Sequence, residues 1–220
     1  MADAPKSFNL SPDIYAYLLD HGSPLDDIQR DLIEATASLG GISLMQIAPE
    51  QGTFMTMLAQ LMGARRAIEI GTFTGYSALC VARGLPNDGR LICCDISDEW
   101  TAVGKPFWEK AGVAQKIDLR LGPAIETLRA LPGDEKFDLA FIDADKEGYT
   151  AYYEELLRVM RPGGLILVDN VLLFGMAADP DTDNPAALAI RAFNDLVAKD
   201  PRVDCLMLAI SDGLTLLRVR

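Results

Sequence analysis

Residues 66–77 read Arg-Ala-Ile-Glu-Ile-Gly-Thr-Phe-Thr-Gly-Tyr-Ser, and this stretch decides the fold. Residues 66–70 form a short apolar run with the character of a buried strand. Gly71 and Gly75 follow, spaced for a tight turn, and a helical pattern covers residues 75–85. The same strand–turn–helix unit then recurs. Strands are expected at 91–95, 116–121, 137–143 and 165–169, and helices near 99–111 and at 124–131, 149–160 and 186–198. Arg161-Pro162-Gly163-Gly164 stops the helix at 149–160. Two further strands, 203–208 and 214–219, flank a turn at Asp212-Gly213. Alternation of this kind implies an α/β fold with a mostly parallel sheet covered by helices on both faces; the last pair adds one antiparallel strand.

The first 63 residues have a different texture and read as helices. Ser11-Pro12-Asp13 carries a cap and an early proline for one helix, with Ile14, Tyr15, Leu18 and Leu19. Pro24 opens a second, bearing Leu25, Ile28, Leu32 and Ile33, with Gly40-Gly41 at its end. Glu50 begins a third, whose face of Phe54, Met57, Leu58 and Leu61 is expected to be core. The chain is thus expected to be one domain over 1–220. Residues 1–63 are expected to form a helical cap and 64–220 the ligand-binding core.

Composition removes several classes of function. The 220 residues are 50% hydrophobic and 24% charged, with a net charge of −12. A polyanionic partner, nucleic acid or an anionic membrane, is not expected for so acidic a chain. His21 is the single histidine, so a Ser-His-Asp triad or multi-histidine metal site has little to draw on. Cys80, Cys93, Cys94 and Cys205 form no C-x-x-C pair and read as buried free thiols of a reducing compartment. The opening MADAPKSFNL lacks an apolar signal core, and no apolar run reaches the length of a membrane span. A cytoplasmic location is the expectation.

Two sets of polar residues stand at strand ends, where ligands bind in such sheets. Glu69 precedes the G-x-x-x-G of Gly71 and Gly75, which is neither a dinucleotide nor a P-loop signature. Asp95 ends the second strand and suits a ribose diol. Together they point to a nucleoside carrying positive charge, since a pyrophosphate would be repelled by Glu69. Farther on, Asp143, Asp145 and Lys146 follow one strand, and Asp169 and Asn170 follow another. If these strands are neighbours, Asp143, Asp169 and Asn170 form an all-oxygen half-shell suited to Mg²⁺, Mn²⁺ or Ca²⁺. The plainer reading is polar strand ends and helix caps.

The motif E-x-G-x-x-x-G with a strand-ending acid resembles motif I of class I S-adenosylmethionine-dependent methyltransferases. Glu50-Gln51-Gly52, Gly122-Pro123-Ala124, Asp143-Ala144-Asp145-Lys146 and Val168-Asp169-Asn170-Val171-Leu172 extend the likeness along nearly the whole chain. The sequence is similar to the cation-dependent O-methyltransferases, the family of caffeoyl-CoA and catechol O-methyltransferases. The resemblance implies a Rossmann-like seven-stranded fold, S-adenosylmethionine, a divalent cation with Mg²⁺ foremost, and a homodimer, with dimer and substrate contacts supplied by the helical cap of residues 1–63. It implies Asp143, Asp169 and Asn170 as metal ligands and Lys146 as catalytic base, with Asp143 also counted as catalytic. Glu69, Gly71, Thr72, Gly75, Ser77, Asp95, Ala124 and Asp145 are the implied cofactor contacts, and Trp100 is placed to stack on an adenine edge. The implied acceptor is a hydroxyl of a catechol or phenylpropanoid vicinal diol. Phe174 stands where the plant enzymes carry a polar substrate contact, a departure that separates this chain from their exact substrate. Lys6 aligns with a basic residue that meets a coenzyme A tail. A different methyl acceptor and a nicotinamide oxidoreductase are the rival readings; the latter lacks its G-x-G-x-x-G here.

Overall fold

The computed structural model describes residues 10–220. Lys6 and most of the N-terminal decapeptide lie outside the described residues. The chain runs through α1 (Pro12–Asp20), α2 (Asp27–Ala37), α3 (Pro49–Leu61), β1 (Arg66–Ile70), α4 (Tyr76–Gly84), β2 (Arg90–Asp95) and α5 (Asp98–Lys110). It continues through β3 (Ile117–Leu121), α6 (Ala124–Ala130), β4 (Phe137–Ile142), α7 (Tyr149–Val159), β5 (Met160–Val168), α8 (Pro185–Val197), β6 (Val203–Leu208) and β7 (Leu214–Val219).

The seven strands lie in the order β3-β2-β1-β4-β5-β7-β6. All neighbours pair parallel except β7, which runs antiparallel to both β5 and β6. Alternation along each strand divides the core in two. Ile68, Ile70, Ile92, Cys94, Ile142 and Ile166 face one way and pack with Tyr149, Tyr153 and Phe193 of α7 and α8. Ala67, Leu91, Cys93, Leu139, Phe141 and Leu167 face the other, toward α3, α4 and α5. Fully burying one such side chain contributes about 1.5–3 kcal/mol before the cost of ordering the chain. The central strands, buried on both faces, therefore hold the frame that carries the loops. Among the described residues no helix is long and apolar enough to cross a membrane.

Four expectations are corrected. The second helix starts at Asp27, not Pro24, because Asp26 and Gln29 form a reciprocal capping box. It ends at Ala37, and Gly40 opens a short 3-10 segment, Gly40–Met45. The buried face of α3 is Gln51, Gly52, Met55 and Ala59, whereas Met57 and Leu61 are exposed. Small residues decide this: a side chain on Gly52 would strike Cys80 and Tyr76, and one on Gly84 would strike Ala59, so α3 and α4 meet closely through that stripe. β5 begins at Met160, not Leu165. Its register against β4 shifts between Phe137 and Leu139, absorbing the Arg161–Gly164 stretch as a bulge pinned by Arg161 Nε donating to Asp138 Oδ1 at 2.5 Å. Finally, Cys205 is exposed on β6, while Cys80, Cys93 and Cys94 are buried and free.

Candidate active site

The strand order reverses between β1 and β4, and a cavity of about 910 Å³ opens there at the carboxyl ends of the strands. Gly71 follows β1 with φ 88°, and a Cβ at this position would collide with the Asp143 carbonyl. A glycine is therefore required for β1 and β4 to release their loops side by side. Gly75 (φ 79°) caps α4 against the indole of Trp108, whose Nε1 donates to the Gly75 carbonyl at 3.0 Å. Gly71, Thr72, Ser77, Asp95, Ala124, Asp145 and Trp100 all line the cavity. Gly75 is not among the lining residues and shapes the turn from behind.

Asp95 is held by backbone donors. Thr72 N–H and Phe73 N–H reach its Oδ2 at 2.9 and 2.7 Å, and Ser97 N–H reaches Oδ1 at 2.8 Å. The glycine loop is thus tied to the end of β2. Glu69 lies behind that loop rather than on the cavity wall, fully buried beside its cross-strand neighbours Cys93 and Phe141. Among the described residues neither of its oxygens finds a hydrogen-bond partner of good geometry. Burial pushes its carboxyl up to about 7; the nearby Ser77 and Thr72 hydroxyls moderate the rise and the charges of Asp143 and Asp95 add to it.

Across the cavity, Asp143 and Asp169 are the first residues beyond β4 and β5, which end one residue earlier than expected. Their N–H groups continue the parallel ladder, Asp143 to the Ile70 carbonyl at 2.8 Å and Asp169 to the Ile142 carbonyl at 3.0 Å. Lys146 opens a 3-10 turn, Lys146–Gly148, and gathers the loops. Its Nζ donates to Asp143 Oδ1 (3.1 Å), Asn170 Oδ1 (2.7 Å) and Tyr149 Oη (2.7 Å). Three N–H bonds thus meet three oxygens, the arrangement of an ammonium. Tyr149 Oη donates onward to the Asp169 carbonyl at 3.1 Å. Burial raises the carboxyls of Asp143 and Asp169 above the ordinary range, Asp143 raises Asp169 further, and the Lys146 charge opposes both shifts. Among the described residues no three His, Cys, Asp or Glu side chains gather as a metal cluster; the oxygen set here is two carboxylates and one amide.

Three polar residues of this site escaped the sequence reading. Tyr149 looked like a helix opener, Tyr152 donates to Asp145 Oδ1 at 2.5 Å, and Gln51 donates to Asp169 Oδ2 at 2.9 Å from α3. The spacing of Tyr149 from Lys146, one helical turn, was the available signal for the first; Gln51 stood in the quoted Glu50-Gln51-Gly52 motif, but nothing there assigned it a partner. The rim is apolar. Leu44, Met45 and Phe174 line the cavity yet are 85, 49 and 80% exposed. Asn170, Leu173 and Phe174 all have positive φ, and Phe174 N–H is held by Asp212 Oδ1 at 2.6 Å. The segment 172–184 includes a 3-10 turn, Met176–Ala178, anchored by Arg191 Nε donating to the Ala177 carbonyl at 2.9 Å.

Comparison with known proteins agrees with this geometry. Residues 20–220 match the family model described as O-methyltransferase. Caffeoyl-CoA O-methyltransferase 2 of Zea mays is 42% identical over 226 residues, covering 97% of this chain and 85% of that protein. The O-methyltransferase of Bacillus cereus, solved in complex with SAH, superposes with a TM-score of 0.85 at 32% identity, covering 94% of this chain and 97% of the other. TomG of Streptomyces achromogenes, an O-methyltransferase involved in tomaymycin synthesis and solved with SAM, gives 0.85 at 30% identity, covering 94 and 96%. A glycine loop, a strand-end acid and a lysine-centred acidic corner on this fold, with kinship over nearly its whole length, mean that the chain belongs to the O-methyltransferase family and is an S-adenosylmethionine-dependent O-methyltransferase.

Proposed function

We propose that the chain methylates one hydroxyl of a small vicinal diol, a catechol or caffeoyl-type compound, with the help of a divalent cation. One observation carries the reading: Asp143, Asp169, Asn170 and Lys146 converge on the cavity floor, and the Lys146 ammonium already bridges two of the oxygens a cation would use. The residues fit such an ion. All three donors are hard oxygens, and the two carboxyls resist ionisation where only one ammonium faces them, a strain that a divalent charge relieves. The name of the Zea mays relative supports a caffeoyl-type acceptor, and the apolar rim of Leu44, Met45 and Phe174 suits a flat aromatic body.

S-adenosylmethionine supplies a methyl group on a positively charged sulfur, and a bound cation supplies a Lewis acid that favours a phenolate over a phenol. Asp143, Asp169 and Asn170 would hold that cation. Asp95 takes the ribose hydroxyls, fixed for that task by its backbone donors. Glu69, Ser77, Ala124 and Asp145 complete the cofactor side, with Glu69 contributing charge from behind the loop. Lys146 Nζ, once its ammonium has given a proton to solvent, would take the acceptor's proton; kept as the ammonium, it would instead stabilise the phenolate. Tyr149 keeps the lysine aimed at the floor. Much of the acceleration then comes from alignment and exclusion of water, because opposite charges cancel as the methyl moves.

The test is transfer of labelled methyl from S-adenosylmethionine to a panel of catechols and caffeoyl esters, with Mg²⁺ or with chelator. Mg²⁺-dependent methylation of a diol is the expected result. Product from acceptors other than diols, at equal rate in chelator, overturns the proposal.

A further inference from the structure

We propose that Gln51, a residue of the N-terminal helices, is the positioning residue for Asp169 and sets the affinity of the site for a divalent cation. The inference rests on the metal-dependent reading above. Gln51 lies in the first turn of α3, is fully buried, and reaches across 118 positions of sequence to donate from Nε2 to Asp169 Oδ2 at 2.9 Å. Asp169 Oδ1 accepts the Asn170 N–H at 2.7 Å. Each carboxylate oxygen therefore has one fixed donor, which locks the plane of the group. Each also keeps acceptor capacity, and Asp169 lines the cavity floor while only 2% exposed, with little solvent to orient it.

The rest of Gln51 argues that the donor has a task. Among the described residues its Oε1 is buried with no hydrogen-bond partner. An orphaned interior acceptor is unfavourable, so packing alone would be better served here by a methionine or leucine. The backbone is also built to deliver this side chain. The adjacent Gly52 lets α3 close on Tyr76 and Cys80, where any side chain would collide. The N-terminal helices thus do more than cover the cavity: through Gln51 they hold one of its carboxylates. Groups that hydrogen-bond a ligating carboxylate typically change metal affinity by about 10–100-fold.

The experiment uses Mn²⁺ as the probe. Its binding to the wild type and to Gln51→Met, which keeps length and loses the donor, is followed by the free-ion paramagnetic resonance signal. Affinity for S-adenosylhomocysteine and the melting temperature are measured on the same samples. The expected result is a Kd for Mn²⁺ raised about tenfold or more, with S-adenosylhomocysteine affinity unchanged and melting temperature unchanged or higher. Should the methionine variant fail to fold, Gln51→Leu is read against the same limits. Unchanged Mn²⁺ affinity, or an equal loss of S-adenosylhomocysteine affinity, overturns the role of Gln51 and leaves the metal reading standing. A wild-type protein that binds no Mn²⁺ overturns both.

Discussion

The two ends of the cavity hold their carboxylates in opposite ways. Asp95 receives three backbone N–H groups from the glycine loop and the start of α5. Its surroundings are made by local turns, and it needs no further charge to be in place. Asp143 is met by the Lys146 ammonium, and Asp169 by one side-chain amide, Gln51 Nε2, and one backbone N–H, that of Asn170; burial disfavours the ionised form of both. Backbone dipoles preorganise one end; the other is left short of positive charge. The contrast is the one expected if, as proposed above, one end takes a ligand's neutral hydroxyls and the other a cation.

The strongest way to break the contrast is to empty the acidic corner. Asp143→Ala or Asp169→Ala should lower Mg²⁺-stimulated methylation roughly a thousandfold, the scale of several kcal/mol of Lewis-acid stabilisation. Cofactor affinity, measured by calorimetry, should stay near the wild-type value. Variants as active as the wild type, with or without chelator, would remove the cation from the corner.

Next in size is a stability effect behind the glycine loop. Glu69 rises from 4.5 to about 7 in the fold, so the folded chain holds this proton more tightly than the unfolded one. Its contribution to stability is complete below about pH 4.5 and is lost as pH climbs through about 7. In Glu69→Gln, a permanent mimic of the neutral acid, that loss disappears. Without cofactor, the stability of the wild type relative to the variant should fall by on the order of 3 kcal/mol between about pH 5 and pH 8. Parallel pH profiles in denaturant titrations would show Glu69 ionised at ordinary pH.

Lys146→Ala should reduce kcat about a hundredfold, the lower range for a positioned acid or base, and leave KM for the acceptor nearly unchanged. An unaltered kcat in a chemistry-limited assay would take Lys146 out of the reaction. The smallest expected change is at the backbone-held end. Asp95→Asn should weaken cofactor binding about tenfold through loss of charge-assisted bonds, while Mn²⁺ affinity stays constant. A matching fall in Mn²⁺ affinity would mean that the two ends are not separate.

Local pattern made much of the fold legible. Strands such as 66–70 and 137–142 are buried on both faces and bounded by glycines and acids, so short apolar runs marked them directly. The hairpin strands 203–208 and 214–219 fall where the pattern placed them. Misplaced edges had local chemistry of their own: the Asp26–Gln29 capping box and the Asp138-pinned bulge in β5 overrode Pro24 and Pro162-Gly163. The outward turn of Met57 and Leu61 was hidden because small residues, not large ones, made the helix contact.

By itself the sequence determined the alternation of strands and helices, the glycine loop, and the acids and lysine that follow the strands. These depend on neighbours in the chain, through period, turn geometry and residue type. Only the tertiary structure decided that Glu69 sits behind the loop, that Lys146 bridges Asp143 and Asn170, and that Gln51 reaches Asp169. Those facts depend on which strands lie side by side and how closely α3 packs on α4, and contacts between residues far apart in the chain leave no periodicity to read.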